Sequence, residues 1–133
     1  LHVGHLRLPE HSQKLGCVVA AGVASDRVVH SYRPNKPVIP LEHRMQMLRA
    51  LRFVDIVIPD YELEYGSGCR TVAADIFVVG ETWGKKAHNL AVEAYLLDQG
   101  SEIVKVQYDL RTSSTQIKQT VMAQPARKLA VAV

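Results

Sequence analysis

Four short strand-like runs, the apolar residues 18–23 and 76–79 and the mainly apolar residues 54–58 and 103–108, alternate with stretches whose apolar residues recur at helical spacing. No other feature of the chain restricts its fold as tightly. Strands that are apolar on both faces belong inside a parallel sheet, and parallel strands need crossovers long enough to hold a helix. The alternation therefore predicts an α/β domain, helices layered on a mainly parallel sheet. Gly22 lies within the first run, Pro59 stops the second and Gly80 ends the third. Pro34, Pro37 and Pro40 punctuate a loop that also carries Arg33 and Lys36. A helix follows from about Leu41, with Leu41, Met45, Leu48 and Leu51 on one stripe and Glu42 in its first turn. Residues 61–74 fit no single pattern; Gly66 and Gly68 argue for a loop there before any short helix. Residues 87–98 read as a helix with Leu90, Ala94 and Leu97 on one face and Gly100 as its stop. Ser113 and Gln116 have capping-box spacing, which starts a final helix. In such sheets ligands gather at the carboxyl ends of the strands.

The length, 133 residues, suits one domain. A net charge of +3 is compatible with anionic small molecules but too weak to argue for nucleic acid. Eight aromatic residues, scattered along the chain, form no base-stacking platform. The longest nearly apolar run, residues 15–24, is too short to span a bilayer, and no basic-then-apolar leader precedes it. Cys17 and Cys69 make neither a metal pair nor a disulfide framework. Reduced thiols and a cytoplasmic location are the expectation.

Three constellations carry chemistry. In His2-Val3-Gly4-His5, two histidines three residues apart can face one ligand if the second opens a helix. The glycine admits a phosphate close to the backbone, and a helix start adds free N–H groups. Imidazoles there can donate to phosphate oxygens as charge builds during transfer. A transition-metal pair, or histidines with no role, are the competing readings. Arg111-Thr112-Ser113-Ser114-Thr115 lies between a strand and a helix. Hydroxyls and N–H groups at a helix start cradle anions, and the arginine adds a fork for phosphate oxygens; simple capping competes. Gly80-Glu81-Thr82-Trp83 follows a buried strand, so Trp83 either stacks on a base or merely packs. Arg44 and Arg52, on or near the Leu41 helix, are anion contacts or solvated surface.

Together these pieces resemble the nucleotidyltransferase superfamily marked by HxGH, and within it the glycerol-3-phosphate cytidylyltransferases. The matching pieces are His2–His5, Leu15-Gly16, Ser25-Asp26, Glu42-His43-Arg44, Arg52-Phe53-Val54-Asp55, residues 75–80 with Trp83, and Arg111-Thr112 before Ser114-Thr115-Gln116-Ile117-Lys118. The resemblance implies a Rossmann-like three-layer α/β/α domain with a parallel sheet of order 3-2-1-4-5. It implies CTP joined to a small polyol phosphate, with pyrophosphate released and no covalent enzyme intermediate. The magnesium would be bound through the nucleotide, with no protein metal site, and a homodimer is implied. His2, His5, Lys36 and Arg111 would be catalytic. Gly4, Gly80, Trp83, Thr112, Ser114 and Thr115 would bind nucleotide, and Arg44 and Arg52 substrate. An adenylyltransferase, acting with ATP on flavin mononucleotide or a sugar phosphate, is the alternative; an inactive nucleotide-binding protein is another.

Several departures stand out. The usual three residues between Arg-Thr and the Ser/Thr motif are absent, and the segment after Trp83 is long. Residues 61–74 lack the helix expected there. The family carries a strand and a Gly-Thr-Phe-Asp turn before HxGH, whereas this sequence opens at Leu1. Residues 1–121 are read as the nucleotidyltransferase domain. Residues 122–133 are a tail in which 128–133 could supply that first strand, as circular permutation would arrange; an added edge strand or frayed tail is the competing reading.

Overall fold

The computed structural model describes residues 1–63, 66–107 and 112–124. Four parallel strands and six helices alternate along them, in the order α1 (Val3–Leu15), β1 (Ala20–Ala24), α2 (Asp26–Tyr32), α3 (Leu41–Arg49), β2 (Ile56–Asp60), α4 (Gly66–Val72), β3 (Ile76–Gly80), α5 (Ala87–Asp98), β4 (Glu102–Val106) and α6 (Ser114–Ala123). The α/β class and the parallel pairing follow from the apolar runs. The single five-stranded sheet of order 3-2-1-4-5 is not what the described residues form. They form two separate two-stranded sheets, β1 with β2 and β3 with β4. Ala20 aligns with Ile56 in one, and Ile76 with Glu102 in the other.

The core divides in the same way. Val23, Leu41 and Met45 form one buried cluster, covered by Leu48 and Val57. Cys69, Val92 and Leu96 form a second, covered by Phe77, Trp83, Tyr95 and Ile103. Between the half-sheets runs a cleft of about 1090 Å³, with Val18, Gly22 and Ile58 on one side and Phe77 and Val78 on the other.

Local chemistry explains most boundaries, and tertiary packing explains the corrections. Pro59 does not stop β2; it lies inside it, opposite Val23. Among the described strands β2 pairs with β1 alone, and an edge strand tolerates a residue without an N–H. Residues 66–72 are helical: the short helix begins at Gly66 itself, earlier than the two glycines suggested, and the helix that the sequence did not show clearly is present. Burial of Cys69 against Val92 and Leu96 outweighs the roughly 1 kcal/mol that each helical glycine costs. α5 has the expected bounds but buries Asn89, Val92 and Leu96, whereas Leu90 and Leu97 are exposed. Both triplets fit helical spacing, and only the neighbouring strands choose between them. Gly100 ends that segment with φ +76°, a left-handed conformation that suits glycine. α2, capped by Ser25, had no apolar stripe to announce it. The proposed first strand at 128–133 lies outside the described residues.

Candidate active site

The first histidine is a helix cap. His2 precedes α1 in extended conformation, and its Nδ1 accepts the Gly4 N–H at 3.2 Å. The His2 backbone N–H donates to His5 Nδ1 at 3.4 Å, closing a reciprocal capping box. The two rings lie 3.9 Å apart, tilted by 59°. Both Nδ1 atoms accept, so a neutral ring carries its proton on Nε2. The pair therefore offers two N–H donors away from the backbone. Burial lowers the pKa of His2, and burial followed by the neighbouring His2 charge lowers that of His5 to about 4. Both rings are therefore neutral at pH 7.

Gly4 brings the far end of the sequence to this corner. A Cβ on Gly4 would stand 3.0 Å from the His2 ring and 3.3 Å from the Thr112 carbonyl oxygen. Only glycine fits between the two histidines and the start of α6 without a shift. Ser113 caps α6, its Oγ accepting the Gln116 N–H at 3.1 Å. Ser114 and Thr115 occupy the exposed first turn. Two helix starts, separated by a hundred residues of sequence, thus meet at one place, each adding positive potential. Arg111 lies outside the described residues.

The other marked residues are arranged differently. Lys36 is exposed in the loop between α2 and α3. Arg44 has its guanidinium engaged: Nη1 donates to the Ala24 carbonyl at 2.8 Å, Nε to the Ile39 carbonyl at 3.0 Å, and Nη2 pairs with Asp26. It ties the loop holding Lys36 to the end of β1. Arg52 is exposed, its guanidinium 4.8 Å from the Phe53 ring centroid. Gly80 ends β3 and accepts a turn hydrogen bond from the Trp83 N–H at 2.9 Å. Trp83 packs edge-on against Phe77, centroids 5.4 Å apart, beside the second core cluster. Its Nε1 is buried with no acceptor among the described residues.

Sequence reasoning missed two neighbours. Asp26, the partner of Arg44, stood out only through its place beside Ser25. Tyr32 lies beneath two cations, with Lys86 Nζ 5.2 Å and the Arg33 guanidinium 5.8 Å from its ring centroid. No linear spacing links these residues. Among the described residues no group of three His, Cys, Asp or Glu is placed to hold a metal ion. No described helix is long and apolar enough to cross a membrane.

The family model for cytidylyltransferase-like proteins matches residues 1–120. The chain belongs to that family. Relatives within the superfamily include a FAD synthase of Thermococcus onnurineus, 32% identical across 81% of this chain and 73% of that protein. The bifunctional protein HldE of Pectobacterium carotovorum is 30% identical across 96% of this chain. This cytidylyltransferase-like chain spans only 26% of that HldE's length. In fold it is similar to a lipopolysaccharide core biosynthesis protein from Thermoplasma volcanium, with a TM-score of 0.70 and 24% identity over 82% of this chain and 88% of the other. The nucleotidyltransferase assignment rests on the family match and the sequence relatives, and the solved structure supports the fold alone.

Proposed function

We propose that this chain transfers a nucleotidyl group from a nucleoside triphosphate to a small phosphorylated acceptor, at the corner where α1 and α6 begin. The observation that carries the reading is the approach of Thr112 to within 3.3 Å of a Cβ position on Gly4. It supports reading the histidine pair and the hydroxyl-bearing helix start as parts of one site. The acceptor's phosphate oxygen attacks the α-phosphorus. The bond from that phosphorus to the bridging oxygen breaks, and pyrophosphate leaves with the electron pair. The protein's part is positioning and charge stabilisation. His2 and His5 present Nε2–H donors to the triphosphate, while Thr112, Ser114, Thr115 and the α6 backbone receive its β- and γ-phosphates. Lys36 closes on the phosphates from its exposed loop, and Arg111 adds a fork. Magnesium enters with the triphosphate as part of the substrate.

The nucleotide reads better as ATP, with flavin mononucleotide or a sugar phosphate as acceptor, than as CTP with a glycerol 3-phosphate-like polyol. Trp83, the residue that favoured cytosine, has its ring edge-on to Phe77 beside the core cluster. A relative at 32% identity bears the name of a synthase of FAD, whose nucleotide half is adenylate. Pyrophosphate release from each of four nucleoside triphosphates, paired with flavin mononucleotide, sugar phosphates and glycerol 3-phosphate, tests both levels. ATP is expected to lead. CTP leading restores the cytidylyl reading. Calorimetric binding of nucleotide with no pyrophosphate from any pair makes the protein a nucleotide-binding module instead.

A further inference from the structure

Residues 26–39 leave the end of β1 and return to α3 as one excursion, α2 followed by the proline-punctuated loop that carries Lys36. One side of its neck is firmly held. The Ser25 N–H donates to the Asp60 carbonyl at 2.7 Å, and Ser25 Oγ caps α2 by accepting the Val28 N–H at 3.3 Å. The other side has a single tie. Among the described residues, the Ile39 carbonyl is the one group of residues 34–39 in a hydrogen bond, and its donor is Arg44 Nε. Pro34 and Pro37 stiffen the loop by fixing φ, but they lack an N–H with which to fasten it. The same guanidinium reaches back across the neck, with Nη1 on the Ala24 carbonyl and Nη2 on Asp26, in the first turn of α2. A rigid planar fork can hold three acceptors in three directions, which the point charge of a lysine cannot. The excursion also borders the proposed site: the charge of Arg33, where the loop starts, contributes to the lowered pKa of His5.

We infer that Asp26 and Arg44 are positioning residues, an ion pair that closes the neck of residues 26–39 and aims the Lys36 loop at the corner where α1 and α6 begin. The inference rests on the nucleotidyl transfer proposed above. Neither side chain acts on the nucleotide itself. Arg44 has all three guanidinium nitrogens engaged within the protein. Asp26, as an anion, repels a phosphate chain. Their effect on the reaction passes through Lys36. With the neck closed, the ammonium group is presented to the phosphates at little cost in loop ordering; with the neck open, each encounter has to order the loop first.

A double-mutant cycle between Asp26 and Lys36 tests this in the full chain. No hydrogen bond or ion pair joins the two among the described residues, so independent roles would simply add. Asp26→Ala should lower kcat/KM for the preferred triphosphate about tenfold in the parent, and by less than about twofold once Lys36→Ala is present. Asp26→Asn keeps an oxygen acceptor for Nη2; it should show a smaller loss with the same dependence on Lys36, and it carries the test if the alanine variant does not fold. Backbone order parameters of the loop amides at 35, 36, 38 and 39 should fall to roughly 0.6 or below in the Asp26 variants, while those of β1 and α3 stay near the rigid value of about 0.85. An equal loss with and without Lys36 overturns the inference and leaves nucleotidyl transfer standing, as do unchanged order parameters. Lys36→Ala with the parent's activity overturns it from the other end, by removing Lys36 from the reaction. If no triphosphate is turned over, the reading of the site as a transferase fails separately. The cycle is then read as calorimetric affinity for the triphosphates, where additive effects overturn the inference and coupled effects support it.

Discussion

Two regions were marked by sequence as nucleotide contacts, and they are built in opposite ways. At the starts of α1 and α6 the polar side chains serve the backbone beside them: His2 and His5 close a capping box, and Ser113 caps α6 through its Oγ. In the proposed function, the imidazole Nε2–H groups and the two helix starts beside them are the groups that would receive a phosphate chain. At the end of β3 the marked side chain serves the interior. Trp83 turns its ring to Phe77 and the core. A cap fixes a side chain through neighbours three residues away, whereas a packed aromatic is fixed by whatever element lies opposite. In the proposed function the first arrangement would offer its donors to a ligand, whereas the second places its aromatic surface against the core.

The sharpest way to break this contrast is to remove the donors. His2→Ala or His5→Ala should lower turnover by about 10²–10⁴-fold, the range for a positioned proton-bearing side chain. Rates within a factor of two of the parent would leave the histidines as caps alone. Trp83→Ala comes next. A half-buried Trp in the second cluster should cost about 3 kcal/mol in chemical denaturation, with nucleotide affinity in the folded protein hardly altered. The reverse outcome, full stability and binding weaker by roughly 1–3 kcal/mol, would mean that the ring stacks on a base.

The same contrast decides how much was legible. Elements tied to local chemistry could be read: the capping spacing of Ser113 and Gln116, the bounds of α5, the stop at Gly100. That the histidine segment lies near the start of α6 was expected through family likeness alone, and the contact itself, a Gly4 Cβ position 3.3 Å from the Thr112 carbonyl, has no linear signal. What could not be read depends on partners. Leu90 and Leu97 fit the periodicity of α5 as well as Val92 and Leu96 do, and only the strands beneath it select the latter. Gly66 and Gly68 oppose a helix until Cys69 is buried. Arg44 looked like surface or substrate contact, yet its acceptors are carbonyls of other segments, five and twenty residues away.

Arg44 permits a smaller test. Its side chain is 17% exposed and holds Asp26 and two carbonyls, so Arg44→Ala should cost about 2 kcal/mol in a urea titration. A change below about 0.5 kcal/mol would return it to the surface class. Ser113→Ala removes a single neutral cap and should cost about 1 kcal/mol. Turnover should fall by more than that stability loss explains only if the start of α6 also receives phosphate.

The finest distinction separates the two duties of His5, cap and donor. Gln is a natural residue at the third helical position of a capping box, so His5→Gln keeps an acceptor for the His2 N–H. It lacks an imidazole Nε2–H, and turnover should collapse as it does with alanine while the helix start stays intact. Stability against pH supplies the second readout. His5 is held neutral by the fold, its pKa lowered from 6.5 to about 4. The unfolded chain therefore takes up a proton first as pH falls. The stability gained from the neutral ring is fully present above pH 6.5 and drains away between about 6.5 and 4, with no further loss from this group below. His5→Gln should flatten that window relative to the parent in thermal unfolding followed from pH 7.5 to 4. Parallel curves for the two proteins would show that the ring stands in water, indifferent to the helix it begins.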